Sequence, residues 1–449
     1  MPSLQSFMET TNATPDGRFP LEDLVFTCFD MCFPEEAVDL FVEKTNAYVE
    51  HCTTEPQRPG DVDRRRPHQR KKSKKSGHIT LEKNHFQRKH IHGMVGIFIT
   101  MGLTKKIRMR NHWSLSDHDN YPLVRKCMPR NLFELLYSRF LHCSDANAPP
   151  QLLDDGEENP AYDSKWHIRL LENILNKAWA ENVEIGQWLS YDEQLVKTVS
   201  TFSSALMRFN AMKPITHGIK MWALCDVEGY CLISSVDGGM KGDPNLRRWF
   251  DCPLGRTTRQ VLWVLLGSCE GLKKKLVDSG VYIAMDNYFT SPTLFECLAS
   301  HDIFAVGTCR ADRTAGAMPY LKSLGRTLRA RGDMNFCRSG EIAFVHWKDS
   351  KDVLFCSSIH IAQPDEDPAG EENVDGTRID HFKPLPLQLR ESGRKGKEKV
   401  TVQPSLRESY VRYMGVLIQL TSRTDHTRTT TSRAQITGDG CSTRISNRR

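Results

Sequence analysis

The chain is 449 residues long, beyond the size at which one hydrophobic core keeps growing, so it divides into several packed units. With 39% hydrophobic and 26% charged residues it has enough apolar surface to offset chain entropy over most of its length, which excludes a globally disordered protein. Its longest apolar runs, 93–102 and 261–266, fall far short of a membrane-spanning helix, and residues 1–11 lack a secretory signal pattern.

These exclusions predict a soluble intracellular protein with no membrane partner. The fourteen cysteines are scattered and form no CxxC pair, so reduced thiols are expected and no zinc site.

In chain order, residues 21–50 place Val38, Leu40, Phe41 and Ala47 at helical spacing, with Pro34 at a helix start, and predict a helical entry within 1–56. Residues 57–79 form a basic arm. Arg64, Arg65, Arg66, Arg70, Lys71, Lys72, Lys74 and Lys75 are eight cations, more than the whole net charge of +6. Such a run stays solvated, as a nuclear-import signal, a phosphate-binding patch or a plain linker.

Between 80 and 184 apolar residues recur at three and four, as in Leu132, Leu135, Leu136 and Phe140, so a helical domain is predicted, broken by a polar loop over 144–160. From 185 to 309 the pattern changes to short β-like runs at 188–196, 218–225, 230–236, 281–285 and 303–308, with helical patterns at 259–277 and 291–300. A strand meander followed by alternation with helices predicts an α/β unit with a mixed sheet covered by helices, an order compatible with a ribonuclease-H-like core. A small insertion domain is expected at 310–404, with strands at 341–347 and 353–358 and two charged loops, one acidic and one basic, further on. Residues 405–420 read as a core helix, and 421–449 as a disordered tail poor in apolar residues.

Two carboxylates interrupt the apolar strands. Asp192 sits within Leu189-Ser190-Tyr191-Asp192-Glu193-Gln194, and Asp286 closes the run Val281-Tyr282-Ile283-Ala284-Met285. Desolvating an unpaired carboxylate at a buried strand end costs several kcal/mol, and a bound cation offsets that cost. Taken alone, by spacing only, each Asp reads more readily as a helix cap or a salt-bridged turn residue.

The segments Ser190-Tyr191-Asp192-Glu193-Gln194, Lys213-Pro214-Ile215-Thr216-His217-Gly218-Ile219-Lys220-Met221-Trp222 and Met285-Asp286-Asn287-Tyr288-Phe289-Thr290-Ser291 resemble the piggyBac transposase family. So do Val306-Gly307-Thr308 with Arg310, and Trp347-Lys348-Asp349-Ser350-Lys351-Asp352-Val353, all in the family's order across 21–415. The resemblance implies a ribonuclease-H-like mixed sheet with helices, preceded by a helical domain for dimerisation and DNA-end binding and followed by the insertion domain. It also implies that Asp192 and Asp286 are catalytic metal ligands for Mg²⁺ or Mn²⁺, side by side on adjacent strands at one edge of a mixed sheet. DNA is the implied partner, a homodimer the implied assembly and the nucleus the implied location. Lys213 and Lys220 are placed either against DNA phosphates or as ordinary surface lysines. Trp222 and Trp347 are expected in the core or an interface rather than as base-stacking platforms.

The resemblance stops at Gly415. The family's third ligand is an Asp in a Met-Gly-Gly-Val-Asp segment, whereas here Met414-Gly415 is followed by Val416-Leu417-Ile418. A reading-frame slip after Gly415 accounts for this: one set of codons for 416–422, read from the third base, gives Val-Asp-Thr-Thr-Asp-Gln. The family's C-terminal Cys-rich module is not recognisable either. Asp425 and Asp439 are substitutes by residue type only. The favoured reading is a DNA-binding derivative with impaired catalysis; an active cut-and-paste transposase and a protein-interaction scaffold remain open.

Overall fold

The structure is a computed structural model that describes residues 21–54, 85–116, 121–198, 206–209, 211, 216–239, 242–248, 254–323, 328–360, 363–364, 371–372, 378–379, 382–383, 387–392 and 399–414. The arm at 57–79, Lys213 and the tail from 415 lie outside the described residues. The described residues separate into two compact units, one from 21 to 178 and the other from 179 to 414.

The helical unit contains α1 (Leu21–Cys32), α2 (Glu35–Thr54), α3 (Arg88–Thr104), α4 (Pro122–Cys127) and α5 (Arg130–Leu135), the last running into a π turn at Leu136–Phe140. Pro34 sits between the first two, so the single helical entry predicted there is a pair. Val38, Ile91, Met94, Ile97, Val124, Phe133 and Leu136 form one buried cluster. The Asn46 side chain pins the chain before α3, accepting from the Phe86 amide at 2.9 Å and donating to the Phe86 carbonyl at 3.0 Å. A long helix, α6 (Trp166–Glu181), follows the predicted loop.

The second unit is built on one mixed sheet of β1 (Trp188–Lys197), β2 (Met207–Phe209), β3 (His217–Asp226), β4 (Cys231–Val236), β5 (Tyr282–Met285), β6 (Phe304–Thr308), β7 (Met334–Ser339), β8 (Ile342–Lys348) and β9 (Asp352–Ser357). The spatial order is β2-β3-β1-β5-β6-β9-β8-β7, with β4 also on β3. β1, β3 and β4 are antiparallel, while β1, β5 and β6 are parallel. Parallel strands are covered on both faces, which is why β5 reads Tyr-Ile-Ala-Met with no polar alternation. After a short α7 (Pro244–Arg248), one face of the sheet is covered: Tyr191, Trp222, Ile283 and Met285 pack under α8 (Arg256–Leu262), a π turn at Trp263–Gly267, α9 (Glu270–Leu276) and α10 (Pro292–Ala299). On the other, Ala284, Val306, Val345, Trp347, Phe355, Leu406 and Met414 meet the helix at 405–414. Trp222 and Trp347 are buried, as expected of core residues.

The sheet departs from the predicted layout after Thr308. β9 pairs antiparallel with β6 (Gly307 opposite Cys356), so β7–β9 extend the core sheet instead of forming one of their own. Shorter ladders follow, including β14 (Leu387–Ser392) with β15 (Lys399–Pro404), and the Trp347 indole donates to the Val402 carbonyl at 3.0 Å.

Candidate nucleic-acid processing site

β1 and β5 pair in parallel from Trp188 opposite Tyr282 to Tyr191 opposite Met285. Asp192 and Asp286 are the next residue on each strand, so they leave the pairing as neighbours, with strands about 4.8 Å apart. Side-chain alternation puts them on the face of Ser190 and Ala284, opposite Tyr191 and Met285. The expected adjacency is therefore present, but on two central strands rather than along an edge, with Asp192 midway along β1 and Asp286 just past the carboxyl end of β5. Ligand sites in open α/β sheets lie outside carboxyl strand ends of this kind.

Each carboxylate is held by local backbone. Asp192 Oδ1 accepts from the Glu193 amide at 2.7 Å, and Asp286 Oδ1 from the Tyr288 amide at 2.7 Å. The Asp286 carbonyl takes the Thr290 amide and hydroxyl at 3.1 and 2.9 Å, which curls the Asn287–Thr290 segment into a turn and delivers Ser291 to the N-cap of α10. Gly307 on β6 lies under this turn: a Cβ there would meet Thr290 Oγ1 at 2.1 Å and the Met285 carbonyl at 2.5 Å. The Val306-Gly307-Thr308 motif is thus part of what shapes the loop carrying Asp286.

The sequence reading did not single out Tyr410 and His360. Tyr410, on the 405–414 helix, has its phenol pushed up, first by burial and then by the charges of Asp286 and Asp192, against an opposing hydrogen bond with Thr308. Its hydroxyl therefore belongs to the carboxylate neighbourhood. The helix is fixed by Trp188 stacked on Tyr413 at 4.0 Å, and by His360, whose ring contacts Ser357 Oγ at 3.0 Å and Ser409 Oγ at 3.2 Å. Burial holds the His360 imidazole down at about 4, so it is neutral at pH 7. Only the Tyr-rich stretch before Met414 carried any hint of this helix in the sequence.

Lys220, left open as a phosphate contact or an ordinary surface lysine, has a side chain only 17% exposed that forms an ion pair with Glu193, and its ammonium lies 4.2 Å from the Trp222 ring centroid and 4.3 Å from that of Tyr288. Its charge is shared with a carboxylate and two aromatic faces. Lys213, Asp425, Asp439 and the eight arm cations lie outside the described residues.

Two adjacent carboxylates suit a hard divalent cation, which takes oxygen donors and leaves positions for phosphate and water. Among the described residues no group of three or more His, Cys, Asp or Glu is placed to hold a metal ion.

A mixed sheet in which the antiparallel β1–β4 are followed by the parallel β5 and β6, with one acid within β1 and one directly after β5, is that of a ribonuclease-H-like core. The family model described as Transposase IS4 matches residues 26–432, and the chain belongs to this family, the piggyBac-type DDE transposases. It is similar to the human PiggyBac transposable element-derived protein 2, 26% identical over 272 residues, which cover 59% of this chain and 41% of the relative. With the human PiggyBac transposable element-derived protein 3 it shares 23% over 359 residues, 79% of this chain and 51% of that one. The chain thus spans about half or less of the length of these curated relatives. A cryo-EM structure of the piggyBac transposase synaptic complex with hairpin DNA has the same fold, with a TM-score of 0.57 at 21% identity, covering 89% of this chain and 67% of that one.

Proposed function

We propose that this chain is a transposase-derived DNA-binding protein whose strand-cutting chemistry is impaired. The observation that carries the reading is the site itself: Asp192 and Asp286 stand together, and among the described residues the helix that reaches them brings the phenol of Tyr410 and no third carboxylate. DDE transposases use divalent metal ions, and Mg²⁺ or Mn²⁺ is the ion this donor type fits. Asp192 and Asp286 would hold it. The chemistry it supplies when bound is activation of a water or 3′-hydroxyl and stabilisation of the leaving oxygen. The chain's own part is to fix those two carboxylates through the Glu193 and Tyr288 amides, and to shape the loop over them through Thr290.

DNA is the proposed partner because the solved relative of the same fold is a complex with hairpin DNA, and the basic arm at 64–75 adds a sequence-independent phosphate attraction and a nuclear-import signal. A homodimer is favoured by Ile99, Leu103 and Ile107, which are 49%, 78% and 55% exposed on and just after α3.

The test is a strand-cleavage assay on DNA with matched transposon ends, run on this chain and on one restored after Gly415 to Val-Asp-Thr-Thr-Asp-Gln and onward. The chain as written should bind DNA and leave it uncut, and the restored chain should gain on the order of 10² to 10³ in rate, the usual worth of one positioned charge stabiliser. Robust cleavage by the unrestored chain, abolished by Asp286→Ala, would overturn the impaired-catalysis reading.

A further inference from the structure

Two cavities open on either side of Arg256, and they differ in charge balance. The first, about 280 Å³, has its cations answered: Arg208 reaches Asp237 at 3.3 Å, and Lys220 is paired with Glu193. The second, about 370 Å³, is lined by Arg256, Thr257, Ser291, Thr293 and Arg313, with Phe289 and Thr258 in its wall. Among the described residues lining it there is no Asp or Glu.

The donors in this second cavity have capacity to spare. Arg313 gives one guanidinium nitrogen to the Tyr288 carbonyl at 2.7 Å, and a guanidinium carries five N–H donors. Arg256 is 58% exposed, and its guanidinium comes no nearer to Asp237 than 4.0 Å, too long for a hydrogen bond. Ser291 Oγ accepts from the Leu294 amide at 3.3 Å, which leaves its own O–H to donate. Two guanidiniums and four hydroxyls around one concavity, with no carboxylate among its described lining residues, match a tetrahedral oxyanion, and arginine is the side chain best shaped for phosphate.

The place of this cavity gives the anion a context. Phe289, Ser291 and Thr293 belong to the loop and helix that begin at Asp286, and Arg313 holds the same loop at Tyr288. The cavity is thus tied to the carboxylate pair through the segment that runs from Asp286 to Thr293.

We propose that the cavity between Arg256 and Arg313 binds one non-scissile phosphate of a DNA strand and so sets the register of that strand against Asp192 and Asp286. This rests on the DNA-binding reading above. A free phosphate group offers the same chemistry, so the experiment has an arm for each source.

The experiment measures binding of the full chain to a mixed-sequence DNA duplex by fluorescence anisotropy across a salt series. Arg256→Gln removes an exposed cation. Thr293→Glu puts an anion into the cavity at the first turn of α10, where the helix dipole favours an acidic side chain and the fold is kept. Lys274→Gln, on an exposed face of α9, is the charge-matched control. Both cavity variants should flatten the slope of log affinity against log salt by about 1, which at about 0.1 M salt is roughly a tenfold loss of affinity. Lys274→Gln should leave the slope unchanged. Slopes equal to that of the unaltered chain, with its DNA binding intact, overturn this inference and leave the proposed function standing. No DNA binding by the unaltered chain at low salt removes both. In the second arm inorganic phosphate is titrated calorimetrically: binding that Thr293→Glu abolishes while DNA slopes stay equal assigns the cavity to a free phosphate group and refutes the DNA register.

Discussion

Replacing Gly307 by Ala adds one methyl group at the most confined glycine near the site. An ideal Cβ there lies 2.1 Å from Thr290 Oγ1, 2.5 Å from the Met285 carbonyl oxygen and 3.3 Å from Thr290 Cβ. Two of these belong to groups that cannot swing away: the Met285 carbonyl is in the β5–β6 region, where Met285 and Gly307 are register partners, and Thr290 is tied to the Asp286 carbonyl through both its amide and its hydroxyl. Overpacking of this kind costs about 1–3 kcal/mol, and loss of the Thr290 hydroxyl bond adds about 1 kcal/mol, so a total near 3 kcal/mol is expected. Urea unfolding followed by tryptophan fluorescence should show the midpoint lowered by about 1 M, given a slope of about 3 kcal/mol per M. The matched comparison is Gly96→Ala on the exposed side of α3, where nothing lies within 4 Å and the gain in helix propensity should stabilise by about 0.5–1 kcal/mol. A Gly307→Ala midpoint within about 0.2 M of the unaltered chain would show that the β5–β6 layer yields, and would refute this account of the motif.

Two further predictions concern the helix beside the site and the helical unit. The His360 imidazole has a folded value of about 4 against about 6.5 for the free side chain, so the unfolded chain binds the extra proton first: stability from this group is complete above about pH 6.5 and is lost as pH falls toward 4. The loss is on the order of 3 kcal/mol, and His360→Gln should flatten the pH dependence of the urea midpoint across that window; an unchanged profile in the variant would assign the dependence elsewhere. Leu103→Glu should convert a dimer of the unaltered chain into a monomer in sedimentation, because it places a charge in the exposed Ile99–Ile107 stripe, and a monomeric unaltered chain at tens of micromolar would end the dimer reading.

The strands that carry the site were readable because each states its burial locally. β5 is wholly apolar and is followed by Asp286, and β1 sets Asp192 and Glu193 directly after a run that is buried from Leu189 to Tyr191. β2 has only three residues, too few for any period, and β7 reads Met-Asn-Phe-Cys-Arg-Ser with no β-branched side chain, so neither was found. The continuation of the sheet through β9 was hidden for a different reason: pairing of β6 with a strand beginning at Asp352 leaves no trace in either segment alone. The same holds for the site. Asp192 and Asp286 stood out as acids in apolar runs, whereas Tyr410, Arg256 and Arg313 acquire meaning only from what the fold sets beside them.

The parallel pairing of β1 with β5 has a further consequence, for the order in which the molecule assembles. The β1–β3 and β3–β4 hairpins close over short stretches and can form early, but Asp192 meets Asp286 only when the chain beyond β4, including α8 and α9, has folded back across the sheet. Loop closure of that length is entropically costly before any contact rewards it, so the carboxylate pair belongs among the last features to form. An acid on a hairpin would be present in every partly folded chain; this pair exists only in a molecule whose central sheet is complete.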